Sequence, residues 1–202
     1  MHSITQFSKL KRAKYRNWRN RMTTDTQVEL DSNGSWPDDI YDVLKKQGVK
    51  HCAYVPDAGH TELINKMIAD QDVIDTVLTT EEEGIGYLAG AWLGGDRGVL
   101  LMQCSGAGNC INTLSLTNAY RFPLLMIITM RGEWAEFNPM QVPMGKATAA
   151  SLELLGVNTY HVDRAEEVGE VIEAAADLAF NGDQAAAVLI SQRIIGRKTW
   201  TK

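Results

Sequence analysis

The sequence predicts an α/β fold, a mostly parallel sheet flanked by helices on both faces. Three observations carry that expectation. From Trp36 onward, short apolar runs alternate with amphipathic stretches, the pattern of strand–helix–strand crossover units. The run Leu124–Ile128 is apolar without a break, as in a strand covered on both faces. Turn-forming residues such as Gly48, Gly98 and Pro123 punctuate the runs,.

The elements follow in order. Ser35 is the expected N-cap of a helix opened by Pro37, with Ile40, Val43 and Leu44 on one face and Gly48 behind its end,. Cys52–Val55 reads as a short strand and Thr61–Ala69 as an amphipathic helix with Leu63, Ile64 and Met67 in step,. Val73–Leu78 is a second strand, Thr80–Leu93 a helix dense in Gly and Ala, and Gly98–Met102 a third strand. Gly108–Tyr120 reads as helix and Pro123–Met130 as a long buried strand. Helix is expected again over Ala147–Leu155 and Ala165–Asn181, with strands at Thr159–Val162 and Ala187–Ile190.

The chain has 202 residues, room for one sizeable core. One domain is expected over residues 35–202, after a basic arm of residues 1–34 that is expected to be extended. Up to Met22 the arm holds Lys9, Lys11, Arg12, Lys14, Arg16, Arg19 and Arg21 and no acid. That composition suits a targeting segment, a partner-docking arm, or a start codon placed ahead of Met22. A net charge of -5 gives nucleic acid no basis as a partner. The longest strongly apolar run, Phe122–Met130, is interrupted by Pro123 and too short to span a bilayer,. Cys52, Cys104 and Cys110 have no Cys-x-x-Cys spacing, which suits a cytoplasmic protein and neither a zinc site nor a disulfide framework.

In a parallel sheet, ligands gather at the carboxyl ends of strands, so four loops matter. Thr80-Glu81-Glu82-Glu83-Gly84 begins the Gly-rich helix. Thr80 and Glu83 have capping-box spacing, and three acids in a first turn suit the helix dipole. Capping does not explain Gly84, Gly86 and Gly90, each costing about 0.5–1 kcal/mol against Ala in a helix interior. Something must approach that helix closely. Gln103-Cys104-Ser105-Gly106-Ala107-Gly108-Asn109 reads as a tight strand-to-helix turn; Gly106-x-Gly108 is also a partial dinucleotide fingerprint, with Ile111 where a small residue belongs,. Pro56-Asp57-Ala58-Gly59-His60 is a turn that could cap the next helix. Arg131-Gly132-Glu133-Trp134, running on to Gln141–Lys146, reads as a long polar connection whose Arg131 and Lys146 would suit an anionic substrate,.

These loops, in this order, resemble the pyrimidine-binding domain of thiamine-diphosphate enzymes, in the branch of the sulfopyruvate and phosphonopyruvate decarboxylases. Val55-Pro56-Asp57, Thr80–Gly84, Gln103-x-Ser105-Gly106-x-Gly108-Asn109, Arg131-Gly132 and Pro143-Met144-Gly145 carry the resemblance. It implies that Glu81, nine residues before Gly90, activates the cofactor, while Glu82 and Glu83 keep capping roles. Many relatives have Asp-Gly where this chain has Ala89-Gly90; the sulfonate and phosphonate branch has Ala. The resemblance further implies that Glu81, Gln103, Ser105, Gly106 and Asn109 bind thiamine diphosphate. Asp57, Arg131 and Lys146 would meet the substrate, and His60 or Asp57 would relay a proton. The Gly-Asp-Gly motif that holds Mg2+ and diphosphate in such enzymes is absent from this sequence. A β subunit would supply it, and the enzyme would be an α/β hetero-oligomer that decarboxylates 3-sulfopyruvate or another small anionic 2-oxo acid. Two rivals remain at this point: a nicotinamide-dependent oxidoreductase built on Gly106-x-Gly108, and an inactive scaffold subunit.

Overall fold

A computed structural model describes residues 35–197. The basic arm over 1–34, with its three readings, lies outside the described residues. Six strands and eight α-helices alternate along the described chain: α1 Trp36–Lys46, β1 Val49–Tyr54, α2 Thr61–Ala69, β2 Ile74–Val77, α3 Glu81–Leu93, β3 Arg97–Gln103, α4 Cys104–Cys110, α5 Ser115–Tyr120, β4 Leu124–Thr129, α6 Gln141–Leu154, β5 Asn158–Val162, α7 Val168–Gly182, β6 Ala185–Ile190 and α8 Gln192–Ile195.

Every strand pair is parallel, in the order β2-β1-β3-β4-β6-β5. The expected α/β class is therefore the observed one. Chain direction across the sheet reverses between β1 and β3, so their carboxyl ends open a crevice where ligands bind in such sheets. The central strands β4 and β6 are buried at every position, which is why their sequences do not alternate. One side of the sheet is covered by α3, α4 and α6, packing together over Leu100, Met102, Met126 and Leu189. On α1 and α7, which also pack together, Ile40, Leu44, Ile172, Ala175 and Ala176 are all buried.

Several boundaries differ from the sequence reading, for local reasons. The expected helix over Gly108–Tyr120 is two short helices, α4 and α5, separated by a turn, and α4 starts directly from β3. The Gly-rich segment is thus mostly helix rather than turn. Helix α6 begins at Gln141, six residues earlier than periodicity suggested. Pro143 masked it, yet proline is tolerated in a first helical turn, where no intrahelical partner awaits its missing N–H. Lys146 consequently stands on a helix and not on a loop. Residues 165–167 form a separate 3-10 turn before α7. Helix α8 is too short for periodicity to reveal.

Candidate active site

Along the carboxyl edge, Glu81 follows β2, Asp57 follows β1, Gln103 and Ser105 lie at the end of β3, and Arg131 follows β4. Two polar clusters form there. The first surrounds Glu81. Asn109 Nδ2 on α4 donates to Glu81 Oε2 at 2.8 Å. The Glu81 carboxyl lies directly on Gly106: a Cβ added at 106 would come within 2.4 Å of the Glu81 carboxyl carbon and Oε1. Gly106 thus gives the Glu81 carboxyl room to lie against α4, and a side chain at 106 would displace it. Gly108 is covered likewise, by Met144 of α6, whose sulfur would sit 3.3 Å from an added Cβ. The dinucleotide reading loses its physical basis, because neither glycine is left bare for a pyrophosphate.

The three glutamates separate in the structure. Glu83 Oε2 accepts the Thr79 backbone N–H at 2.9 Å, one residue earlier than a capping box requires, and the Thr80 side chain makes no capping bond to the helix backbone. A hydrogen bond from Thr80, with a backbone one, holds the Glu82 carboxyl below its usual pKa. Glu81 alone of the three engages another helix. Its register four residues before Ile85 places it beside the buried stripe of α3.

The second cluster surrounds Asp57, which is 8% exposed. It accepts from Gly59 N at 3.1 Å, from Gln103 Nε2 at 3.0 Å and from Thr129 Oγ1 at 2.6 Å. Ser105 Oγ donates to Gln103 Oε1 at 3.0 Å, which fixes the orientation of the Gln103 amide. Gln103 and Ser105, expected on the cofactor, are thus tied to Asp57. His60, expected to relay protons, is 1% exposed and turned into the fold, its Nε2 lying 3.1 Å from the Ile127 carbonyl. Burial pushes its pKa down from the usual imidazole value, against the pull of the Asp57 charge. It stands beneath Asp57 as a neutral ring.

Arg131 is 7% exposed, and Glu136 takes its charge through Nε at 2.6 Å and Nη2 at 2.5 Å. That pair holds the Glu136 carboxyl down at about 2 and raises Arg131 further. Phe137 lies under the guanidinium at 5.6 Å. Gln192, 1% exposed at the start of α8, donates to Glu136 at 2.9 Å and accepts the backbone N–H groups of Glu133 and Trp134. Lys146 is exposed and has no ion-pair partner among the described residues. Thr129, Glu136 and Gln192 were not singled out from sequence. The one available signal was a hydroxyl at the end of the otherwise apolar strand β4.

Burial raises all three thiols: Cys110 to about 12, Cys104 and Cys52 in the same direction. All three are buried and free of disulfides, and an upward shift disfavours the thiolate. Among the described residues no group of His, Cys, Asp and Glu could hold a metal ion, and no helix is long and apolar enough to cross a membrane.

A doubly covered parallel sheet, with polar side chains gathered at its carboxyl edge, defines an α/β domain whose candidate site lies at that edge. The chain belongs to the thiamine pyrophosphate enzyme family, as its N-terminal TPP binding domain, which matches residues 36–141. It is 36% identical over 152 residues to "Sulfopyruvate decarboxylase subunit alpha" of Methanococcus maripaludis, covering 75% of this chain and 91% of that protein. The protein of that name from Methanocaldococcus jannaschii is 34% identical, over 74% of this chain and 89% of its own length. A "Phosphonopyruvate decarboxylase" of Streptomyces viridochromogenes is 39% identical over 118 residues, 57% of this chain but only 30% of that protein. Among solved structures, 2-oxoglutarate:ferredoxin oxidoreductase from Magnetococcus marinus superposes with a TM-score of 0.67 at 14% identity, over 83% of this chain and 33% of that one. That likeness is one of fold.

Proposed function

We propose that this chain is the α subunit of a two-chain, thiamine-diphosphate-dependent decarboxylase that converts 3-sulfopyruvate to sulfoacetaldehyde and CO2. The observation that carries this reading is its 36% identity to a sulfopyruvate decarboxylase α subunit across 91% of that protein's length. Phosphonopyruvate is the second substrate to test, because relatives of that name match a shorter stretch at 39% identity.

The residues present fit the cofactor's pyrimidine side. Glu81 has one carboxylate oxygen held by Asn109, which leaves the other for a ring nitrogen of the cofactor. A pre-oriented carboxyl loses little in reorganisation when it exchanges a proton there. Thiamine diphosphate, when bound, supplies the electron sink for loss of CO2 from a 2-oxo acid. Asp57 stands at the crevice between β1 and β3 and serves as the proton-exchanging group toward the substrate. His60 supports it from below. With Arg131 committed to Glu136, Lys146 is the cation left for the substrate's sulfonate, and Arg131 shapes the loop beside it. The Mg2+ and the cofactor's diphosphate are held by a β chain bearing the Gly-Asp-Gly motif that this sequence lacks. Three unpaired, buried thiols support a cytoplasmic setting.

The test is reconstitution with the β chain. Glu81→Gln is expected to assemble and bind partner while losing at least about a hundredfold in turnover. Undiminished sulfopyruvate turnover in that variant would sink the assignment. Activity of the β chain alone would favour a scaffold role for this subunit.

A further inference from the structure

We propose that Thr129 is a positioning residue for this reaction, acting through Asp57. The inference rests on the reading of Asp57 given above. Thr129 is the last residue of β4 and 1% exposed. Its hydroxyl lies 2.6 Å from Asp57 Oδ2 and 3.5 Å from the Met102 carbonyl. A hydroxyl has one proton, and the short contact to a carboxylate takes it.

Asp57 therefore receives three donors from three parts of the fold: Gly59 from its own loop, Gln103 from β3 and Thr129 from β4. A carboxylate offers about four acceptor positions. Three are filled from within the chain, so about one remains for a ligand. Of the three donors, Gly59 lies in the turn after β1 and Gln103 at the end of β3, on the two sides of the crevice. Gln103 holds Oδ1 while Gly59 and Thr129 share Oδ2, and Thr129 makes the shortest of the three contacts, from a third element of the fold.

The Thr129 side chain has two separable contacts. Its methyl supports the turn: a Cβ added at Gly59 would meet Thr129 Cγ2 at 2.9 Å. Its hydroxyl holds the carboxylate. Valine keeps the first contact and loses the second; serine does the reverse. A buried threonine needing only packing could be replaced by valine at little cost. A positioning residue could not.

The experiment uses the chain assembled with its β partner, with sulfopyruvate as substrate. T129V is expected to assemble with the β chain at some cost in melting temperature, because a buried carboxylate loses a donor, with kcat lowered at least about tenfold and KM changed by less than about twofold. T129S is expected to restore kcat. In a D57N background, T129V should lower turnover no further, because a residue acting only through Asp57 has nothing left to position. Unchanged kcat in T129V, with D57N strongly slowed, would overturn the proposal while leaving the Asp57 reading intact. So would an equal loss from T129V in both backgrounds. Normal turnover in D57N would overturn both. Should T129V fail to assemble, T129A and T129S differ by the hydroxyl alone: a slow T129A beside a normal T129S supports the proposal, and equal rates refute it.

Discussion

Glu136 is not a residue that its sequence position would single out, yet it determines what Arg131 does. Both side chains are nearly inaccessible, at 9% and 3% exposure. The Glu136 carboxyl is held near 2 in the folded chain against an ordinary 4.5. A depressed folded pKa means that the contribution to stability is complete above about 4.5 and is lost as pH falls toward 2. The shift corresponds to roughly 3 kcal/mol. Urea titrations at pH 7 and pH 3 should show that loss in part, and E136Q should reduce the difference between the two pH values by the part that Glu136 contributes. At pH 7, E136Q is expected to destabilise by about 3 kcal/mol, because it leaves a buried guanidinium without a counter-charge. Ala135, beside it, has φ of 47°, a conformation that costs a residue with a Cβ about 1 kcal/mol or more. A135G should raise the unfolding free energy by a comparable amount, read by the same titration.

At the scale of elements, two helices use glycine for opposite purposes. In α6, a Cβ at Gly145 would lie 2.0 Å from the Arg131 carbonyl oxygen. Gly132 lies as closely against the Gln141 carbonyl. The segment after β4 and the first turn of α6 are thus pressed backbone to backbone, which fixes where Arg131 and Lys146 emerge. G145A should cost about 3 kcal/mol or prevent folding, since a backbone oxygen cannot step aside as a side chain can. In α3, nothing lies within 4 Å of a Cβ at Gly86 or Gly90. On the chain alone, G90A should stabilise α3 by about 0.5–1 kcal/mol, visible as a higher melting temperature. If the β chain packs on that face, beside Leu93 at 79% exposure, the same substitution should weaken assembly. A rise in stability with unaltered assembly would place the partner elsewhere.

For the whole molecule, the sheet order brings loops that are far apart in sequence onto one edge. Glu81 and Asn109 meet across α3 and α4, and Asp57, Gln103 and Thr129 meet across three strands. The proposed enzyme needs a second chain for its diphosphate side. Neither chain alone should decarboxylate sulfopyruvate, and titrating one into the other should give saturable turnover. Full activity from this chain alone would contradict the division of the site between subunits.

The sequence by itself determined the class of fold, through unbroken apolar strands alternating with amphipathic segments. The order of five short motifs also carried the family, now established by the match over residues 36–141. Three adjacent glutamates were indistinguishable as capping chemistry, and only the resemblance singled out Glu81. What the tertiary structure decided was which polar groups face each other. Gly106 accommodates the Glu81 carboxyl, His60 turns inward, Arg131 is neutralised five residues on by Glu136, and Thr129 reaches Asp57. The reason is physical. Periodicity follows from local backbone geometry, which each segment carries in its own residues. A hydrogen-bond partner across a sheet is chosen by burial and distance, which exist only once the strands have paired.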